Sequence, residues 1–268
     1  MHGADTLKFK TVFDSSALND GLYFFLQLIH RLYPEDAFHY LIATALKEKK
    51  TDEEIYKEVQ RNLPGIKPFL QKYTYAKPAS RKQRKELQQQ LLRLLGEKKV
   101  INGYLQLGLK ENYIRGLKRH IKVKGEILTT DNTVHGNPAD VTELIKHNIK
   151  NDSIDIVTCY NGLHHYPDEY LDDIMKFIHR VLRKGGLLAV REYDITTPAM
   201  QTFISVVHTV INVGANVSWA TNAREFRSFR PAEEWSNIIT SYSFADMGKR
   251  IKQDKDPTLN TMMGFIKL

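Results

Sequence analysis

Two adjacent histidines, His164 and His165, follow the pair Asn161-Gly162 in the run CYNGLHH, and a second polar cluster, Glu192-Tyr193-Asp194, closes the run LLAVREYD. An imidazole changes charge near neutral pH, so either histidine is a candidate to take a proton from a nucleophile. Neighbouring side chains on one segment point different ways, so at most one of the two is expected to reach a common substrate. Glu192 is the carboxylate candidate beside them. Arg191, inside the apolar run, is costly to bury unless paired, and Glu192 or Asp194 is its expected ionic partner. Further upstream, Gly108, Leu109, Asn112 and Tyr113 follow the run GYLQL, and Asp131 follows EILTT. Glycine admits close approach to its backbone, and asparagine tolerates a left-handed backbone better than most residues. Asp131 offers a carboxylate, or one half of a turn-forming Asp-Asn pair.

These residues share a position: each stands at the end of a short apolar run. Gly103–Leu107, Glu126–Thr130, Ile154–Cys159 and Leu187–Glu192 have the continuous apolar texture of strands buried on both faces. Between them, Tyr113–His120, Ala139–Asn148 and Glu169–Leu182 read as helices. Alternating strands and helices predict an α/β fold, a mostly parallel sheet flanked by helices, in which ligands bind beyond the carboxyl ends of the strands where strand order reverses. Asp155 and Pro167 read as architecture, and Gly185-Gly186 as the left-handed exit from a helix into the next strand. Asp140 is a weak ligand candidate and more simply a helix cap. Past Thr197 the pattern predicts helices over Met200–Ile211 and Pro231–Ile239, then a hairpin with arms Arg250–Lys252 and Met262–Lys267. Arg224, Arg227 and Arg230 could bind an anion, and are read as solvent-facing charge.

The first hundred residues have a different period. Leu18 to Leu32 and Ala37 to Lys49 are helical in pattern. Thr51 and Glu54 can close a capping box for a helix carrying Ile55, Val59 and Leu63. Pro64 and Pro68 bracket an expected turn, and Arg81–Leu95 is a further helix. The expected organisation is therefore an all-helical domain or cap over residues 1–98 and an α/β domain over 99–268.

Composition narrows the setting. No apolar run is long enough to span a bilayer, and the first residues lack a signal-type apolar core. The single cysteine, Cys159, excludes an intrachain disulfide and a cysteine-rich zinc site. The ten histidines suggest no ligand cluster, so no metal is expected. A reducing, cytoplasmic location is the plain expectation. The net charge of +8 is concentrated early, with 18 Lys/Arg against 12 Asp/Glu in residues 1–100. Lys77, Arg81, Lys82, Arg84 and Lys85 form a basic segment that could engage RNA, or serve as a solvated face.

The linked elements from Asn151 to Asp194 resemble the second half of class I S-adenosylmethionine-dependent methyltransferases, in particular the methyltransferase type 11 group. The resemblance rests on the turn Asp152–Asp155 before a strand, Leu163-His164-His165 after it, a helix ending in Arg180–Gly186, and the strand Leu187–Arg191. It implies a Rossmann-like fold with S-adenosylmethionine as cofactor and methyl transfer to an O, N or S nucleophile of an unidentified acceptor, small molecule or macromolecule. It further implies that Gly108, Leu109, Asn112, Tyr113, Asp131, Asn161 and Gly162 hold the cofactor, with Asp131 on the ribose. His164, His165 and Glu192 are then the candidates for catalysis. The chain departs from the pattern at Gln106, where an acid is usual, and at Lys110 and Asn112, where glycines are. The stretch from Gly108 to Asp155 is also short for two strands and two helices. These departures suit a rival reading, a pseudo-methyltransferase serving as a protein- or RNA-binding scaffold.

Overall fold

The computed structural model describes residues 44, 45, 48, 51–72, 76–98, 100–107, 114–130, 148–214, 216–253, 256 and 258–268. The regular structure comprises helix α1 (Asp52–Lys72), α2 (Ala76–Leu95), strand β1 (Val100–Leu107), the single turn α3 (Ile114–Leu117), β2 (Lys122–Thr130) and β3 (Ile154–Tyr160). It continues with α4 (Asp168–Val181), β4 (Leu182–Tyr193), α5 (Pro198–Gly214), α6 (Trp219–Arg224), α7 (Ala232–Thr240), β5 (Phe244–Lys252) and β6 (Asn260–Lys267). The helix expected over Leu18–Leu32 lies outside the described residues, as do all but the last residue of Ala139–Asn148 and most of Ala37–Lys49.

By compactness the chain falls into two units. One gathers residues from Met1–Gln83 with Thr196–Glu225 and Lys255–Thr258; the other holds Arg84–Ile195, Phe226–Asp254 and Leu259–Leu268. This division differs from a cut at residue 98. Leu87, Leu91, Leu94 and Leu95 of α2 pack with Ile101, Tyr104, Ile156 and Leu187 of the sheet, so that half of α2 covers a sheet face. Conversely, α5 and α6 group with the helical unit. Helical periodicity identifies a helix; it does not say which core the apolar face joins.

The second unit is a six-stranded sheet in the order β2-β1-β3-β4-β6-β5. Strands β1 to β4 pair in parallel. The hairpin β5–β6 joins antiparallel, with β6 against β4. Strand order reverses at β1, which has β2 on one side and β3 on the other. The face opposite α2 is covered by α4 and α7, through Leu171, Ile174, Met175, Ile178, Trp235 and Ile239. Where β1 meets β2, one residue of β1 opposes two of β2, and Gly125 supplies the positive φ of 71° that this bulge needs.

The amino ends of the strands are tied by Asp155, which accepts from Asn102 N at 2.6 Å and Arg183 Nη1 at 2.7 Å. Its expected architectural part is thus given partners. The exit from α4 differs from expectation. The helix ends on Leu182, in an extended conformation, and the chain enters β4 directly. Gly185, at φ 72°, and Gly186 serve a bulge inside β4, where the register jumps from Ile154↔Leu182 to Ile156↔Leu187.

In the helical unit, Thr51 and Glu54 form the expected capping box, with Thr51 N donating to Glu54 Oε2 at 3.0 Å and Glu54 N to Thr51 Oγ1 at 3.2 Å. The turn expected at Pro64 and Pro68 is not formed; α1 runs through both and forgoes the bonds their missing N–H groups would make. Tyr56 Oη and Gln60 Nε2 both donate to Val217 O, at 2.8 and 2.7 Å, and Trp219 packs edge-on to Tyr56. Within this unit Asn212 Nδ2 bridges Asn222 Oδ1 and Glu225 Oε2, at 2.9 and 2.7 Å. No helix among the described residues is long and apolar enough to cross a membrane.

Candidate functional site at the carboxyl ends of the strands

The run after β3 is shaped by two features. Asn161 takes a left-handed backbone, φ 51°, and turns the chain away from the sheet. Leu163–His165 then forms one 3-10 turn with no side-chain cap. Glu192, from the end of β4, fills that need: Oε1 accepts from Leu163 N at 2.7 Å, and Oε2 meets His164 Nδ1 at 2.5 Å. Both side chains are essentially sealed from solvent, 1% exposed for Glu192 and 0% for His164, which makes the pair far stronger than a surface contact. Two of the three expected catalytic residues are therefore in direct contact. His165 lies beside His164 with ring centroids 4.2 Å apart, and Tyr193 and Phe229 close around the His164 ring at 5.4 and 5.0 Å. The His164 carbonyl accepts from Ser228 N at 2.7 Å, so the turn is fixed from both sides.

A second network lies next to it. Arg191 is buried, and its guanidinium donates to Asn161 Oδ1 through Nη1 and to Gln253 Oε1 through Nη2. The two acids expected beside it each hold a further contact. Glu192 holds the Leu163 turn, and Asp194 accepts from Ala232 N at 3.0 Å and lies 3.6 Å from Lys252 Nζ. Asn161 Nδ2 donates in turn to Asn260 Oδ1 at 2.6 Å. Asn161 is partly exposed, whereas Gly162 is buried, and a Cβ on Gly162 would sit 3.1 Å from Cys159 Sγ.

On the neighbouring sheet face, Tyr104 Oη and Thr158 Oγ1 lie 2.9 Å apart. Burial pushes the Tyr104 phenol up to about 12, and burial with the neighbouring Tyr104 holds Tyr160 well above the ordinary phenol range. Burial, reinforced by the charge of Glu192, likewise raises the Cys159 thiol, which leaves it a packing residue rather than a nucleophile. Arg230 is not the solvent-facing charge expected. It pairs with Asp168 and Glu234, each at 2.6 Å, and lies over the Trp235 ring. Arg224 is exposed, as expected.

Of the residues expected to hold a ligand, Gly108, Leu109, Asn112, Tyr113 and Asp131 lie outside the described residues. So do Asp140 and the side chains of the basic segment 77–84. The sequence reading missed Gln253, Asn260 and Phe229. Nothing local marks them: they reach the site only because the C-terminal hairpin adds to β4 and the segment before α7 returns to the β3 turn.

Residues 109–190 match a family model described as a methyltransferase domain, so this segment carries a methyltransferase-type fold. Among solved structures, the chain is similar to 1,6-didemethyltoxoflavin-N1-methyltransferase of Burkholderia thailandensis, with 14% identity, TM-score 0.45, and 69% of this chain and 77% of that one covered. It is also similar to the N-methyltransferase NodS of Bradyrhizobium japonicum, with 14% identity, TM-score 0.42 and coverage of 68% and 86%. No curated relative matches the chain.

Proposed function

We propose that this chain, whose residues 109–190 carry a methyltransferase domain, transfers a methyl group from S-adenosylmethionine to an O, N or S nucleophile of an acceptor. The observation that carries this reading is that the matched segment runs from the end of β1 into β4. It thus follows directly on β1 and includes all of β3, the strands beside which strand order reverses, the place open α/β sheets offer to ligands. The described residues at that place fit the donor. Asn161 is partly exposed, held left-handed, and followed by a glycine that leaves its backbone uncovered by a side chain. Gly108, Leu109, Asn112 and Tyr113 would complete the donor site, and Asp131 would accept from the ribose hydroxyls. When bound, the donor supplies an electrophilic methyl group on a sulfonium.

The chain's own residues do the rest. The Glu192 carboxylate accepts a hydrogen bond from His164 Nδ1–H, a tautomer in which Nε2 is the basic atom of the ring. His164, in a site shielded from water, receives the proton that the acceptor loses. Tyr193, Phe229 and His165 hold the ring in place. Fixing donor and acceptor in line supplies much of the rate in such a reaction, so rigidity at this turn is itself functional.

Calorimetric titration with S-adenosylmethionine and S-adenosylhomocysteine tests the reading. Binding in the micromolar range, abolished by Gly108→Arg, is the expected outcome. A folded protein that takes up neither ligand at millimolar concentration would overturn it.

A further inference from the structure

The network around Arg191 closes on itself. Arg191 donates to Asn161 Oδ1 and to Gln253 Oε1. Asn161 Nδ2 donates to Asn260 Oδ1, and Gln253 N returns to Asn260 O at 3.0 Å. The ring therefore joins four places that are distant in sequence: the turn after β3, the end of β4, the end of β5 and the start of β6. A further bond, Asn161 N to Arg191 O at 2.6 Å, fixes the backbone of the same residue whose side chain the ring holds.

Both ends of the Asn161 carboxamide are committed within the ring, while its backbone has positive φ at the mouth of the crevice. Asparagine reaches such a conformation more readily than most residues, and the surroundings hold it there. Here those surroundings are the guanidinium on one side and Asn260 on the other. We propose that Arg191, with Gln253 and Asn260, is a positioning residue for the methyl-donor site. It acts by locking Asn161 so that the backbone of Asn161-Gly162, rather than the Asn161 side chain, faces the donor. The inference rests on the function proposed above and assigns the C-terminal hairpin a part in donor binding.

It makes a specific demand on double variants. Asn161→Gly keeps access to positive φ but removes the carboxamide, so the ring has nothing left to hold. The affinity for S-adenosylhomocysteine is measured by calorimetry in the wild type, Gln253→Ala, Arg191→Lys, Asn161→Gly and each paired variant, with thermal unfolding recorded beside it. Gln253→Ala and Arg191→Lys each weaken binding about tenfold, a positioning loss of roughly 1.4 kcal/mol. In the Asn161→Gly background the same substitutions change affinity by less than about twofold, because contacting residues are coupled. Additive effects, or variants that lower the unfolding temperature while affinity stays at the wild-type value, would overturn the inference and leave the ring a purely structural device. Gln253 is only partly buried, so its variant keeps the test open if Arg191→Lys fails to fold. A wild type that does not bind the ligand removes the donor site itself, which is a different result from binding that ignores the ring.

Discussion

Glu192 stands between two chains of consequence, one structural and one chemical. Its carboxylate satisfies the Leu163 N–H and the His164 ring together, in a place water does not reach. Glu192→Ala strands both donors, and leaving a buried donor unsatisfied costs about 1–3 kcal/mol. Urea melts are expected to show an unfolding free energy lowered by that amount, with Glu192→Gln milder because the amide oxygen still accepts one of the bonds. Tyr104 predicts a pH effect of definite sign. Its phenol, raised to about 12 by burial, stabilises the folded state fully below its ordinary value of 10.0 and loses that contribution as pH rises through the window to about 12. Absorbance titration near 295 nm should therefore show late phenol ionisation accompanied by unfolding, and Tyr104→Phe should shift the alkaline midpoint upward. At this scale the sequence was informative about residue types and poor about partners. His164, His165 and Glu192 could be picked out by their places at strand ends. Arg191 could be seen to need company, yet the amide partners lie in Asn161 and Gln253, and only the folded hairpin brings Gln253 near.

Among the elements, the bulge in β4 offers a test that separates two uses of glycine. A Cβ on Gly186 would lie 2.7 Å from Arg183 O, a backbone atom that cannot move aside, whereas a Cβ on Gly185 meets nothing within 4 Å but must sit at φ 72°. Gly185→Ala thus carries only the left-handed penalty of about 1–2 kcal/mol, and Gly186→Ala should cost at least as much through overpacking, about 1–3 kcal/mol. Paired urea melts measure both. Strands and helices after Val100 were legible because buried parallel strands and amphipathic helices have unlike textures. The exit from α4 was not, since Gly-Gly after a helix suggests a helix cap with equal force. Pro64 and Pro68 misled for a related reason: a local rule about missing donors was overridden in a helix whose start is firmly capped.

At the scale of the whole molecule, the sheet is anchored at its amino-end rim by Lys267, which donates to Asp152 Oδ1 at 2.7 Å and to Leu182 O at 2.8 Å. His179 lies against Phe244 nearby, and burial, then the positive charge of Lys267, lower its pKa from 6.5, with Asp152 opposing. A lowered histidine favours the neutral form in the folded state. Stability is complete above 6.5 and falls as pH drops through 6.5 toward the folded value, because the unfolded chain takes up the proton first. Asp152, lowered chiefly by its hydrogen bond to Lys267, adds a further loss as pH falls below 3.8. Unfolding temperatures from pH 8 to pH 5 should decline in wild type and decline less in His179→Gln.

The placement of β6 between β4 and β5 also orders events during synthesis. The edge of β4 that β6 will occupy leaves the ribosome before α5, α6, α7 and β5 do, and β5 cannot join the sheet until a strand made after it has docked. Throughout that interval the nascent chain presents an apolar, hydrogen-bond-hungry strand edge, the kind of surface that aggregates or recruits a chaperone. The ring through Arg191 closes only when β6 arrives, so a nascent chain stalled before Asn260 would carry a folded-looking sheet whose turn after β3 is still unlocked.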